Sequence, residues 1–214
     1  FLGTRHQAVT IDTVQLAAAL EIALQARDLP GMADVDTALY LFCVEIKKEA
    51  TVGLSGECSD EVFGGYPWFF PANNSAETDT FPWSRNLPER MQFLSPDLIQ
   101  RIRPREYLTE RYYQALEEVP HLPGEAPDDA RIREMFYLNL TRWMPTLLDR
   151  KDRMSMATGL EIRVPFCDHH LVEYAWNIPW SMKNCDQLEK GILRRALAGM
   201  LPDSVLTRRK SPFP

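Results

Sequence analysis

The sequence predicts an α/β protein, rich in helices, in which the parallel strands make up only part of a sheet. Three observations predict it. A short apolar run, Val52 to Leu54, leads directly into a loop that crowds Ser55, Gly56, Glu57, Asp60 and Glu61. A buried strand that delivers polar groups beyond its carboxyl end is the usual geometry of ligand sites in open α/β sheets. Helical apolar patterns with recognisable caps occupy most of the remaining chain. Strand candidates are confined to two segments, too few for a free-standing sheet, so the other strands are expected upstream of Phe1 in a longer protein.

His6 to Ile11 alternates and reads as the first strand. Asp12 with Gln15 forms the signature of a capping box and predicts a helix from Thr13 to Gln25, ended by Leu29-Pro30-Gly31. Asp36 caps a second helix, Thr37 to Lys48, whose Leu39, Leu41, Phe42, Cys43, Val44 and Ile46 leave hardly any polar face. Such a helix is expected to be buried. The strand at Thr51 to Leu54 and the acidic loop follow. Pro67 to Asn86 is aromatic and irregular, with Pro71 to Ser75 and Phe81 to Ser84 as loop. Ser95-Pro96-Asp97 starts a helix with proline at its first position. Tyr107 to Glu118 is another, and Pro120 to Pro127 is a surface linker. Asp128 to about Asn139 and Arg142 to about Ala157 read as two helices, or one long helix bent near Pro145. Asp168 to Trp176 and Glu189 to Met200 complete the order: strand, helix, helix, strand, then helices.

Composition narrows the function classes. The 214 residues can build one substantial core. A net charge of −6 argues against a nucleic-acid binder, and no apolar run reaches the ~20 residues of a membrane span. Cys43, Cys58, Cys167 and Cys185 form no C-x-x-C pair, which fits free thiols in a reducing cytoplasm rather than a zinc site. The histidines support no metal hydrolase, and G-x-S-x-G is missing.

Two more clusters accompany the acidic loop. Asp149 and Arg153 share a helix face at i, i+4, ordinarily a solvated pair. Glu161 and Arg163 stand among apolar neighbours, which suggests a partly buried structural pair. The end, Arg208-Arg209-Lys210-Ser211-Pro212-Phe213-Pro214, reads as an interrupted loop rather than a floppy tail. Acids, cations and no metal-ligand histidines suit a phosphate-bearing substrate carrying Mg²⁺. Neither G-x-x-x-x-G-K-[ST] nor G-x-G-x-x-G is present, and Gly64-Gly65 alone makes no phosphate cradle.

Three ordered signatures carry a family resemblance. Leu54-Ser55-Gly56-Glu57-x-x-Asp60-Glu61-x-Phe63-Gly64-Gly65-Tyr66 resembles the Ser-Gly-Glu loop of the glutamine-hydrolysing asparagine synthetases. Asp152 to Ala157 with Gly159-Leu160-Glu161-x-Arg163-x-Pro165-Phe166-x-Asp168 resembles their second signature. Lys190-x-x-Leu193-Arg194, Leu201-Pro202 and Arg209-Lys210 resemble the third. The resemblance covers nearly the whole chain and falls within the C-terminal synthetase half of that family.

The resemblance implies an ATP-pyrophosphatase fold (adenine nucleotide alpha hydrolase-like), here truncated at its N-terminal strands. Residues 1–214 would be a partial synthetase domain, without the glutaminase domain and without the Ser-Gly-Gly-x-Asp-Ser pyrophosphate loop. The implied reaction is ATP-dependent amidation of aspartate through an aspartyl-adenylate, with ATP and Mg²⁺ as cofactors and ammonia supplied from glutamine by the glutaminase domain. The implied protein is a cytoplasmic ligase, compatible with a homodimer, without nucleic-acid or membrane partners and without a resident metal site. Lys210 matches a lysine that contacts the phosphates during adenylation. Glu57 matches a glutamate at the acyl-adenylate that positions the activated carboxyl or receives a proton from ammonia. Ser55 and Gly56 match residues lining the adenylate. Asp60 matches an acid that addresses the substrate amino group or metal. Asp149 and Arg150 fall near a charged position of the site. Glu61, Glu161 and Arg163 are expected to be structural.

Two other readings stand beside this one. A β-lactam synthetase-like cyclase shares the fold and uses a Tyr–Glu pair, for which Tyr137 lies upstream of Asp149-Arg150. A non-catalytic nucleotide- or partner-binding module would explain the missing phosphate loop. On the synthetase reading the 214 residues alone are expected neither to bind ATP well nor to make asparagine.

Overall fold

Thirteen helices and one parallel strand pair are seen among the residues described by the computed structural model, 3–31, 33–70 and 79–210, with backbone only at 33 and 34. The loop expectation at Pro71 to Ser75 and the end at Ser211 to Pro214 lie outside the described residues.

Asp12 and Gln15 form the predicted capping box. The Gln15 N–H donates to Asp12 Oδ1 at 2.8 Å, and the Asp12 N–H donates to Gln15 Oε1 at 2.9 Å. The helix they start is broken at Ala19 (φ −94°, ψ 1°) into α1, Thr13–Ala18, and α2, Leu20–Arg27. α3 spans Ala33–Lys47. It packs against α2 and against the later helix α9.

Strand β1 is Val52–Leu54, and its partner is not the His6 to Ile11 segment but β2, Glu161–Arg163. The pair is parallel, with Val52 opposite Glu161, Gly53 opposite Ile162 and Leu54 opposite Arg163. Residues 6–11 form no strand and are mostly exposed; alternation alone makes no strand without a ladder to join. The order strand, helix, helix, strand is therefore corrected: one strand precedes the long helical run and the other follows it. Glu161 and Arg163, expected to be partly buried, pair at 2.8 Å with more than half of each side chain exposed, because both project from the same open face of a two-stranded ladder.

The burial expected of β1 and of the second helix is also corrected. Val52 is 40% and Leu54 77% exposed, and Phe42 of α3 is 44% exposed, while Cys43 of the same helix is 1% exposed. Among the described residues β1 has one strand neighbour, so the outward side chains of this layer have no protein over them.

Downstream, α4 (Ser59–Phe63) lies inside what the sequence presents as loop, and α5 (Leu87–Met91), α11 (Trp180–Lys183) and α13 (Asp203–Leu206) are further one-turn elements. α6 (Pro96–Ile102) has the expected Ser95 cap, whose Oγ accepts from the Leu98 N–H at 3.2 Å. α7 is Pro104–Glu117, α8 Pro127–Leu138, α9 Met144–Met156, α10 His169–Trp176 and α12 Gly191–Ala196.

The junction expected near Pro145 is an irregular turn rather than a break in the helical run. Residues Asn139–Trp143 are π-helical and join α8 to α9. Pro145 has no N–H to donate and would clash with the carbonyl four residues back, and an expanded turn accommodates it. Asn139 Nδ2 donates to the Met135 carbonyl at 2.7 Å and Thr141 Oγ1 to the Tyr137 carbonyl at 2.8 Å, covering acceptors in this stretch.

Two cores result. One is aromatic, built on Phe69, Phe81, Tyr112, Met135, Phe136 and Leu138, with Trp83 and Trp180 against it. The other gathers Val62, Phe63 and Ala175, with Phe166, Leu171 and Ile192. The acidic loop runs into the second core through α4 and into the first through Tyr66 and Phe69.

Candidate active site

Because β1 and β2 are parallel, their carboxyl ends share one edge. The Ser55 N–H donates to the Arg163 carbonyl at 2.9 Å and extends the ladder by one residue. The chain then leaves the sheet. The Glu57 N–H donates to Ser55 Oγ at 3.3 Å, and Cys58 takes the left-handed conformation (φ 71°) at the start of α4. That conformation costs a non-glycine residue about 1–2 kcal/mol. It is held by burial: Cys58 is 2% exposed and its thiol meets that of Cys167, a contact that together with burial pushes the Cys58 thiol up. Val62 and Phe63 anchor α4 in the second core.

Asp60, in the first turn of α4, holds two cations. Lys190 Nζ lies 2.9 Å from Oδ1 and Lys210 Nζ 2.9 Å from Oδ2. Burial opposes ionisation of Asp60, but the two ammonium groups prevail and hold its carboxyl below the ordinary value. Lys210 also donates to the Gly65 carbonyl at 3.1 Å and sits 4.3 Å from the centre of the Tyr66 ring. Lys190 is itself left-handed (φ 54°) and reaches Ser59 Oγ at 3.3 Å. Lys210, the last described residue of the loop expected at the chain's end, thus lies against the acidic loop.

Gly64 and Gly65 serve this arrangement rather than a phosphate. Gly64 closes α4 with φ 72°, where a side chain is disfavoured. A Cβ on Gly65 would stand 1.8 Å from Asp60 Oδ1, so only glycine lets the carboxylate lie over this backbone. By contrast, a Cβ on Gly56 would meet nothing within 4 Å; that position opens away from the protein.

Glu57 faces α9. Its Oε1 lies 3.4 Å from Lys151 Nζ and 3.9 Å from Arg150 Nη2, while Oε2 is buried without a hydrogen-bond partner. Arg150 therefore joins Glu57. Asp149, one residue earlier on the helix, points elsewhere. It pairs with Arg27 of α2 and at 2.8 Å with Arg153, which in turn pairs with Asp28. This four-residue network ties α2 to α9 and does not reach the loop.

Glu61 is the structural member of the acidic trio. It is 1% exposed and accepts a hydrogen bond from the Tyr66 hydroxyl, which accepts one from Trp143 Nε1 at 3.1 Å. Burial lifts the Glu61 carboxyl above its ordinary value against the pull of that bond, and burial with the nearby Glu61 charge pushes the Tyr66 phenol up. Trp143 leaves the π-helical turn in the direction of Tyr66, so the irregularity beside Pro145 sets the floor under Lys210.

The structure thus brings together Ser55, Gly56, Glu57, Asp60, Arg150 and Lys210 of the expected residues, and leaves Asp149 in a separate network. Sequence reasoning missed Lys151 and gave Lys190 no role in the site. Lys151 directly follows Arg150 in a visibly charged helix. Lys190 stands in the third signature but carries no mark of an acid partner. Tyr66, at the end of the first signature, was not seen as the support for Lys210.

The described residues contain no cluster of three His, Cys, Asp or Glu side chains able to hold a metal ion. Asp60 and Glu61 are committed to lysine and tyrosine partners, whereas Glu57 keeps one oxygen without a donor. What the arrangement offers is a pair of cation-bearing acids at a strand's end, suited to an anionic ligand.

A family model described as asparagine synthase matches residues 1–214. The chain is 53% identical over 212 residues to asparagine synthetase [glutamine-hydrolyzing] 3 of Bacillus subtilis (strain 168), covering 99% of this chain and 34% of that protein. It is 28% identical to asparagine synthetase [glutamine-hydrolyzing] 1 of the same organism, over 82% of this chain and 32% of the relative. It is 24% identical to the asparagine synthetase [glutamine-hydrolyzing] of Rattus norvegicus, over 100% of this chain and 30% of the relative. The chain spans about a third of the length of these curated relatives.

Proposed function

This chain belongs to the asparagine synthase family, and from that premise we propose that it forms part of the synthetase domain of an ATP-dependent ligase that converts aspartate to asparagine. In this reading the fold is of the ATP-pyrophosphatase type. The pyrophosphate-binding loop and the glutaminase that releases ammonia belong to parts of the polypeptide other than these 214 residues. The protein acts in the cytoplasm.

The observation that carries the proposal is Lys210. Its ammonium is held by Asp60, by the Gly65 carbonyl and by the face of Tyr66. A cation fixed in advance needs no reorganisation when charge develops on a departing pyrophosphate. Lys190, on the other oxygen of Asp60, adds a second positive charge to the same corner. Glu57 has one oxygen near Lys151 and Arg150 and the other without a donor. That carboxylate positions the activated acyl group or takes a proton from the attacking ammonia. Ser55 and the open Gly56 line the acyl-adenylate, where an absent Cβ permits close approach.

Mg²⁺ would be supplied as the complex with the nucleotide substrate, where it would neutralise phosphate charge. Hard Mg²⁺ is ordinarily held through one or two carboxylates and substrate phosphate oxygens. Both oxygens of Asp60 lie against ammonium groups, so this carboxylate serves the lysines rather than the ion. Its residues contribute by drawing the phosphates with lysine and arginine.

Aspartate-dependent exchange of pyrophosphate into ATP tests the assignment in the full-length polypeptide. Lys210→Ala is expected to lower exchange at least a hundredfold, in line with loss of a preorganised charge donor, while glutaminase activity stays within about twofold. Near-normal exchange in Lys210→Ala would remove Lys210 from the chemistry.

A further inference from the structure

A cavity of about 530 Å³ lies between residues 120–125, α8 and the segment from the end of α10 to α11. Its walls include Ile132, Phe136, Trp176, Ile178 and Trp180, and Lys183 lines it as well. The volume is that of a small-molecule pocket.

Lys183 is the unusual member. It is 1% exposed, one of the most deeply buried side chains described. Its Nζ lies 3.7 Å from the centre of the Phe136 ring, and among the described residues no carboxylate comes within ion-pairing distance of it. Burial pushes its ammonium down to about 8, so the group remains largely charged at neutral pH. A buried cation supported only by an aromatic face carries an uncompensated desolvation cost.

The other charges of the cavity do not relieve it. Glu125 is fully engaged by Arg133, with Nε at 2.9 and 3.1 Å and Nη2 at 2.7 Å from its oxygens. Arg133 in turn lies 5.6 Å from the Trp176 ring. Asp129 stands exposed at the rim. The interior thus presents flat apolar walls and a single unmatched positive charge.

We propose that this cavity binds a small monocarboxylate with a flat apolar body, its carboxylate against Lys183 and its body between Trp176, Trp180 and Ile178. The carboxylate supplies the missing counter-charge, and the rings supply apolar contact on a scale that a polar metabolite could not use. The site is separate from the Lys210 corner and does not rest on the reaction assigned there.

The test is calorimetric titration of the full-length polypeptide with 3-phenylpropionate and with its uncharged isostere 3-phenylpropionamide. The carboxylate is expected to bind at least tenfold more tightly than the amide, the scale of a charge-assisted hydrogen bond. Lys183→Met fills the same space without charge and is expected to erase that preference. Trp176→Ala is expected to weaken both ligands alike. Equal affinity of the two ligands for the unaltered protein, or no saturable binding of the carboxylate in the millimolar range, would overturn the proposal without any variant. A preference that survives Lys183→Met would overturn it too, by placing the carboxylate elsewhere.

Discussion

Glu57 and Asp60 stand three residues apart on one loop, each facing two cations, and they are not equivalent. Asp60 has an ammonium at 2.9 Å from each oxygen. Glu57 has its nearest cation at 3.4 Å from one oxygen, and nothing bonds the other. Asp60 is a finished clamp whose work is to hold Lys190 and Lys210. Glu57 is an acceptor left incomplete inside the protein, where an unmet polar atom costs about 1–3 kcal/mol. An acid with its partners already in place builds a site, and one with a lone pair to spare is placed to meet a ligand.

Between the two acids, the larger expected effect on the reaction lies on the incomplete one. Glu57→Gln keeps the shape and removes the charge, and is expected to slow asparagine formation by about a hundredfold with little change in thermal stability. An unchanged rate would break the distinction between the two acids.

Asp60→Asn should do the reverse in kind, acting on structure first. It leaves two lysines without their shared counter-charge. Breaking a fully buried pair costs about 3–5 kcal/mol, and the partial exposure here reduces that to about 2–3 kcal/mol. Acid sharpens the point. The folded-state carboxyl of Asp60 lies below its unfolded value of 3.8, so the clamp contributes fully above that value and is lost as pH falls through the folded one. Denaturant midpoints measured from pH 6 downward should therefore converge for wild type and Asp60→Asn at the acid end. Curves that stay parallel would deny Asp60 its role.

Gly65→Ala probes the same clamp sterically. The added Cβ would overlap the Asp60 carboxylate and is expected to cost about 1–3 kcal/mol in unfolding free energy, with weaker pyrophosphate exchange because Lys210 loses its seat. The smallest effect belongs to the neighbouring network. Arg27→Ala removes one partner of Asp149, whose carboxylate is half exposed and keeps Arg153, so the loss is expected to be about 1 kcal/mol, and exchange should be unaffected. A large loss of exchange there would draw Asp149 into the active region after all.

Much of this architecture was legible from local chemistry. The Asp12 and Gln15 box, the Ser95 cap and the bend beside Pro145 each depend on residues within about a turn of one another. The acidic loop after Val52 to Leu54 was visible because strand ends and glycines are local too. The partner strand was not legible. Glu161–Arg163 is three residues long and charged at both ends, so it carries neither the alternation nor the apolar run by which strands are read. His6 to Ile11 carries that alternation and pairs with no strand among the described residues.

The site divides along the same line. Ser55, Gly56, Glu57 and Asp60 could be picked out because they crowd one strand end, and the family signatures pointed to Lys210. Which cation meets which acid was decided in three dimensions. Lys190 and Lys210 arrive on Asp60 from the far end of the chain, Lys151 and Arg150 reach Glu57 from α9, and Asp149 turns to α2 although it precedes Arg150 by one residue. Adjacent positions on a helix are about 100° apart, so neighbours in sequence face different partners. Local propensity places each side chain on its element; only the packing of distant elements determines what that side chain touches.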